Sequence, residues 1–183
     1  MRVIAGSAKG VRLGPVPSGV RPVSDRAREG LFSSLAARLP GALVLDLFAG
    51  TGALGIEALS RGADRAVFVE RLGPAVGALR GNLERTRLGD RAEVVPADAL
   101  GFVERSRPGR DPFDLVLADP PYDAPGEHVD ALLDRLAHRW LAEGGAMVLT
   151  RRSKSSTPVI PVDWRVAKRL EYGDTAVLVF REA

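Results

Sequence analysis

Residues 42–55 read Ala42-Leu43-Val44-Leu45-Asp46-Leu47-Phe48-Ala49-Gly50-Thr51-Gly52-Ala53-Leu54-Gly55, an apolar run that breaks into glycines and then turns helical. Leu43 to Leu47 reads as a strand buried on both faces, and Ala53 to Arg61 as the helix after it. Gly50, Gly52 and Gly55 fall in the spacing G-x-G-x-x-G. In a strand-glycine-helix unit, such glycines permit a tight turn and close backbone approach to a ligand, toward which the free N–H groups of the helix start are aimed. A nucleotide-like cofactor is the expected tenant. The same spacing also opens dinucleotide-binding domains, whose acidic residue about 20 positions on takes the ribose hydroxyls. Glu70, closing the run Ala66-Val67-Phe68-Val69, suits either case, and a tight turn with no ligand is the ordinary alternative.

Outward from that unit, strands and helices alternate. Glu93 to Pro96 is a short strand ending at Ala97-Asp98, Phe113 to Ala118 is the next, and Ala146 to Thr150 the one after. Pro74 suits a first helical turn ahead of Val76, Leu79 and Leu83, and Val129, Leu132, Leu133 and Leu136 form another amphipathic face. This rhythm predicts an α/β fold, a parallel sheet covered on both faces with ligands at the carboxyl ends of its strands. Before the glycine unit, Ser24 caps a predicted helix from Asp25 to about Ala37, weakened by Gly30, and Val3 to Leu13 reads as a small hairpin or arm followed by a Pro15 to Gly19 loop. Beyond the parallel run, Arg151 to Pro158 reads as a polar, basic loop. Trp164 to Leu170 and Ala176 to Phe180 read as two strands turning at Tyr172-Gly173-Asp174, with an antiparallel last strand.

A chain of 183 residues is one ordinary domain, large enough to bury a core without staples. It contains no cysteine, which excludes disulfides and thiolate metal sites, and its two histidines, His128 and His138, leave little for zinc. The start, Met1-Arg2-Val3-Ile4-Ala5-Gly6, has no apolar stretch of signal-peptide length, and no run approaches a membrane span. A cytoplasmic protein is expected. The net charge is +3, but residues 1–45 carry +5 and the rest −2. A basic arm on a near-neutral body suits a polyanion, because Lys and Arg gain affinity by displacing counterions from phosphates. Against this, 23 of the 26 basic residues are arginine, as a compositional bias alone would give.

The motif that discriminates is Asp119-Pro120-Pro121-Tyr122, directly after the strand ending at Ala118. Two prolines fix φ, offer no N–H and bias Asp119 toward an extended conformation, so the strand stops in a rigid row of acceptors. A carboxylate and a carbonyl beside an aromatic ring suit a planar amine. Asp-Pro is also an ordinary turn signal.

The glycine unit together with Asp119-Pro120-Pro121-Tyr122 resembles the class I, Rossmann-like S-adenosylmethionine-dependent amino-methyltransferases. The start Met1 to Gly6, the segment Arg21 to Phe32, Gly55 to Ala63 and Tyr172-Gly173-Asp174-Thr175 resemble the RsmD family, bacterial guanine-N2 methyltransferases of small-subunit (16S) ribosomal RNA. The family usually has Thr where Val23 stands and Asn where Ser33 stands. The resemblance implies a seven-stranded, mostly parallel sheet with an antiparallel last strand, preceded by a basic arm over residues 1–20 on a methyltransferase domain of residues 21–183. It implies S-adenosylmethionine bound by Asp46, Phe48, Gly50 and Gly52, by Glu70 with Arg71, and by Asp98 with Ala99. Catalysis falls to Asp119, Pro120, Pro121 and Tyr122. The charge asymmetry of the first 45 residues assigns contacts to ribosomal RNA or a small-subunit particle to Arg2, Lys9, Arg12 and Arg21, and a monomer without metal or membrane is expected. Other readings stay open: an amino-methyltransferase of DNA or another RNA, a nicotinamide-dependent oxidoreductase, and a non-catalytic RNA-binding module.

Overall fold

A computed structural model describes residues 1–18, 23–105 and 112–183. Seven strands form one sheet in the order β3-β2-β1-β4-β5-β7-β6: β1 Leu43–Leu47, β2 Arg65–Glu70, β3 Ala92–Pro96, β4 Phe113–Ala118, β5 Leu141–Arg152, β6 Trp164–Tyr172 and β7 Thr175–Glu182. β1 to β5 pair in parallel, while β7 runs antiparallel to both β5 and β6. The predicted alternation is thus met strand for strand, and β1 is buried on both faces as its unbroken apolar run requires. Val44 joins the core under helices α1 (Asp25–Ser34), α2 (Ala53–Ser60) and α3 (Gly73–Thr86). Leu45 and Leu47 join the other core, under α4 (Ala99–Arg105) and α5 (Gly126–Arg139), where Trp140 packs against Phe102 and Phe113. Each fully buried Leu or Phe in these layers stabilises the fold by about 1.5–3 kcal/mol.

Several boundaries differ from the sequence reading, and one helix is new. α1 stops at Ser34, and a 3-10 turn, Ala36–Arg38, replaces its last predicted turn. α4 is not foreseen by periodicity. Seven residues are too few to show a stripe, and the helix starts because Asp98 Oδ1 accepts from the Gly101 N–H at 2.9 Å, the bond an N-cap makes. β5 begins at Leu141, ahead of Ala146, its register with β4 shifting between Phe113 and Leu115. It also continues through Arg151 and Arg152, expected in a loop, because these residues pair with Ala176 and Thr175 of β7. Partner strands decide such ends, and hydrophobic pattern does not record them.

The predicted N-terminal hairpin is present as a short arm, with an antiparallel bridge between Arg2 and Arg12 and a bond from the Val3 N–H to the Val11 carbonyl at 3.0 Å. It is stitched to α2 by a buried carboxylate. Glu57 accepts from the N–H groups of Ile4 and Ala5 at 2.8 and 3.1 Å and from Arg61 Nε at 2.7 Å. Arg28, itself fully buried, donates to the Arg2 carbonyl and lies 3.6 Å from Glu57. Ser60 closes the far end by accepting from the Ala8 N–H through Oγ and from the Ser7 N–H through its carbonyl. At the near end Asn82 accepts from Gly14 and donates to the Thr51 carbonyl, linking the arm to the glycine turn.

Candidate functional site

β1, β2 and β4 end together, and their ends are cross-tied by backbone bonds. The Ala49 N–H donates to the Val69 carbonyl, and the Asp119 N–H to the Leu47 carbonyl. Immediately beyond them lies a cleft of about 590 Å³. Asp46, Phe48, Ala49, Gly50, Glu70, Arg71, Ala97, Ala99 and the whole of Asp119 to Tyr122 line it. The strand-end position expected of a ligand site is therefore where the chain puts its chemistry.

Glu70 organises one wall. Its Oε2 accepts from the Gly50 N–H and its Oε1 from the Leu72 N–H, both at 2.8 Å, so one carboxylate pins the glycine turn to the loop after β2. A carboxylate has about four acceptor positions, and these two bonds leave capacity for ligand hydroxyls. Phe48 takes φ of 58°, a left-handed conformation that costs a bulky residue about 1–3 kcal/mol and is kept here at the cleft surface. Two expected cofactor residues also have structural roles. Gly52 is the N-cap of α2, and a Cβ there would fall on Leu79. Asp98 caps α4 and lies 3.9 Å from Arg71, and neither Gly52 nor Asp98 lines the cleft.

Asp46 is the most unusual group. Its Oδ2 accepts from the Gly55 N–H at 2.9 Å, while its Oδ1 is buried with no hydrogen-bond partner among the described residues. Burial raises its pKa to about 8, opposed by the Gly55 bond and reinforced by the charges of Asp119 and Glu70. A cleft lined by four carboxyls, Asp46, Glu70, Asp119 and Asp123, one of them short of a donor, suits a cationic ligand.

The opposite wall is the Asp119 motif, and residues from the end of the chain hold it in place. Thr150, fully buried on β5, donates its hydroxyl to Asp119 Oδ1. Tyr122 Oη and Thr175 Oγ1 lie 3.1 Å apart, and the Arg152 guanidinium sits 5.1 Å from the centre of the Tyr122 ring. Thr150 and Arg152 escape a search for motifs. Their one trace in the sequence is a hydroxyl and a cation ending the apolar run Met147-Val148-Leu149. Val23, where the family resemblance expects Thr, also lines the cleft. Arg2, Lys9 and Arg12 are exposed on the arm outside the cleft, Lys9 next to Ala8 at the far end of α2. Arg21, with Gly19 and Pro22, lies outside the described residues.

A family model described as conserved hypothetical protein 95 matches residues 1–181. Ribosomal RNA small subunit methyltransferase D of Escherichia coli (strain K12) is 35% identical over 188 residues, covering 100% of this chain and 91% of that protein. The chain belongs to the RsmD family. The Haemophilus influenzae protein of the same name is 33% identical over 177 residues, covering 94% of this chain and 89% of its own. A solved structure of a hypothetical protein from Thermus thermophilus superposes with a TM-score of 0.84 at 34% identity, covering 100% of this chain and 99% of that one. The RsmD sheet order, with its antiparallel β7, is that of the class I S-adenosylmethionine-dependent methyltransferase fold. Among the described residues of this RsmD family member, no helix is long and apolar enough to cross a membrane.

Proposed function

We propose that this protein methylates the exocyclic N2 amine of a guanine in small-subunit ribosomal RNA, using S-adenosylmethionine. The observation that carries this reading is Asp119-Pro120-Pro121-Tyr122 forming one wall of a cleft whose other wall is the glycine turn with Asp46 and Glu70. When bound, S-adenosylmethionine supplies a methyl group activated on a sulfonium sulfur. Asp46, Phe48, Gly50, Gly52, Glu70, Arg71, Asp98 and Ala99 would hold it. The buried Oδ1 of Asp46 suits the cationic part and the remaining acceptor capacity of Glu70 suits ribose hydroxyls.

An exocyclic amine is a poor nucleophile because its lone pair is conjugated with the ring. Asp119 and the Pro120 carbonyl, accepting its two N–H protons, favour a pyramidal nitrogen. Both bonds strengthen as positive charge develops on that nitrogen, so they stabilise the transition state more than the ground state. The methylated ammonium is acidic and loses its proton afterwards, so no strong base is needed first. Thr150 fixes the rotation of the Asp119 carboxylate. Tyr122, steadied by Thr175 and Arg152, offers its ring to a base that has left its helix. The basic arm, with Arg2, Lys9, Arg12 and Arg21, holds phosphates of the substrate, and the enzyme works in the cytoplasm as a monomer.

The test is transfer of labelled methyl from S-adenosylmethionine to RNA and to small-subunit particles from cells lacking this protein, with nucleoside analysis. Labelled N2-methylguanosine is the expected product. No label in either substrate, or label at another atom, would sink the reading.

A further inference from the structure

β7 alternates between the two cores, Val177 and Val179 facing α1 to α3 and Leu178 and Phe180 facing the other side. Arg181 continues the first series. Its direct cross-strand partner is Arg165 of β6, so two guanidinium side chains leave one face from neighbouring positions. Arg38, at the end of the 3-10 turn after α1, reaches the same region. Its Nη1 donates to the Gly144 carbonyl at 2.6 Å, and Gly144 lies three residues before Met147, the partner of Phe180.

Nothing described inside the molecule answers this charge. Among the described residues Arg38, Arg165 and Arg181 have no carboxylate within 4.0 Å, which they share with most described arginines, and what sets them apart is that they come together. The Nε of Arg181 is buried without a hydrogen-bond partner among those residues. Burial, and then the charges of Arg38 and Arg165, lower the Arg181 pKa, yet a guanidinium stays protonated near neutrality. Like charges directly opposite on adjacent strands destabilise a sheet. A bias toward arginine explains how many there are, but not three unpaired ones converging from separate elements.

We propose that Arg38, Arg165 and Arg181 bind backbone phosphate of the RNA substrate, at the end of the sheet opposite the cleft. This rests on the RNA reading above. Guanidinium forks match phosphate oxygens, and phosphate contacts fix position without reading sequence. From Thr175 at the cleft to Arg181 is six residues of strand, roughly 20 Å at strand rise. Lys9, beside Ser60 at the far end of α2, lies on the same face and at the same end. A contact this far from the flipped base gives the enzyme a second point of purchase on a folded RNA, which one contact at the cleft lip cannot supply.

Arg165 is exposed on an edge strand, so Arg165→Ser is the variant least at risk of misfolding. Binding to small-subunit particles is titrated across a salt series for wild type, Arg165→Ser, Arg165→Lys and an alanine variant of the arm at Arg2, Lys9 and Arg12. Arg165→Ser should bind more weakly and flatten the log–log salt slope by about 0.7–0.9. Its thermal midpoint should rise, because a like-charge pair is relieved, and its affinity for S-adenosylmethionine should be unchanged. Arg165→Lys should restore the slope with intermediate affinity. Lines for Arg165→Ser that coincide with wild type overturn the proposal, as does weaker binding with an unchanged slope. Methylation of RNA by the wild type in either case leaves the proposed function standing. A wild type that binds no RNA fells both.

Discussion

Asp46 binds its proton more tightly folded than unfolded, and the sign of the effect follows from its surroundings. Its folded pKa is about 8, raised chiefly by burial, whereas in an unfolded chain an aspartate titrates near ~3.9. Between those values the folded protein holds more protons than the unfolded one. The stability this group contributes is therefore complete below about pH 4 and lost as pH rises through about 8. The urea midpoint of the ligand-free protein should fall between about pH 6 and about pH 9. Asp46→Asn keeps an oxygen for the Gly55 N–H and has no charge to desolvate, so its midpoint should change less over that range. An equal fall in both proteins would assign the effect to another group. Asp119 calls for a different measurement. Asp119→Asn preserves an acceptor for Thr150 but not a negative charge beside the amine, so single-turnover methyl transfer should fall by about 10²-fold or more. Calorimetric affinity for S-adenosylmethionine should stay close to wild type. Transfer at the wild-type rate would reduce Asp119 to a turn residue.

At the scale of elements, Gly30 shows what a helix gives up to be placed. By propensity it weakens α1, and replacing it with alanine in an exposed helix would gain about 1 kcal/mol. In the folded chain a Cβ there would fall on the Tyr172 hydroxyl at the end of β6. Gly30→Ala should therefore destabilise by about 1–3 kcal/mol despite the better propensity. Tyr172→Phe combined with Gly30→Ala should recover part of the loss. A single variant as stable as wild type in urea would show that α1 does not lean on this contact. The same position marks where reading the sequence stops. Gly30 and the turn at Tyr172 are each visible there, but their meeting is a tertiary fact. β1, the glycine turn, Glu70 and the Asp119 motif were legible because each is a local pattern with one natural consequence, an unbroken apolar run or a proline pair after it. Thr150 and Arg152 were not, because their value depends on β5 lying beside β4, and Thr175 was not, because the antiparallel β7 brings it to Tyr122. Asp98 is assigned to the cofactor by resemblance, and the structure adds a task no pattern shows, since one oxygen of its carboxyl starts α4.

The whole molecule divides its labour between the two faces of the sheet. α1 to α3 share theirs with the stitched arm and the arginine cluster, while α4 and α5 cover a face dominated by apolar packing around Trp140. The arm is built to stay in place, since Glu57 and Ser60 are buried and committed to its backbone. Glu57→Leu removes acceptors for Ile4, Ala5 and Arg61 and leaves the buried Arg28 with Asp25 as its one carboxylate among the described residues, at a cost of about 3–5 kcal/mol. Chemical denaturation should show that loss, and proteolysis should find the arm first. A loss under 1 kcal/mol would mean that the arm is held by its apolar residues alone.

β7 is the last strand in the chain and yet an interior strand of the sheet, between β5 and β6. A strand paired on both sides leaves, when its pairing fails, two open edges facing a gap, and open edges recruit other chains. Thr175, which steadies Tyr122, goes with that strand. Resistance to aggregation and the set of the aromatic ring at the cleft are therefore governed by one and the same strand.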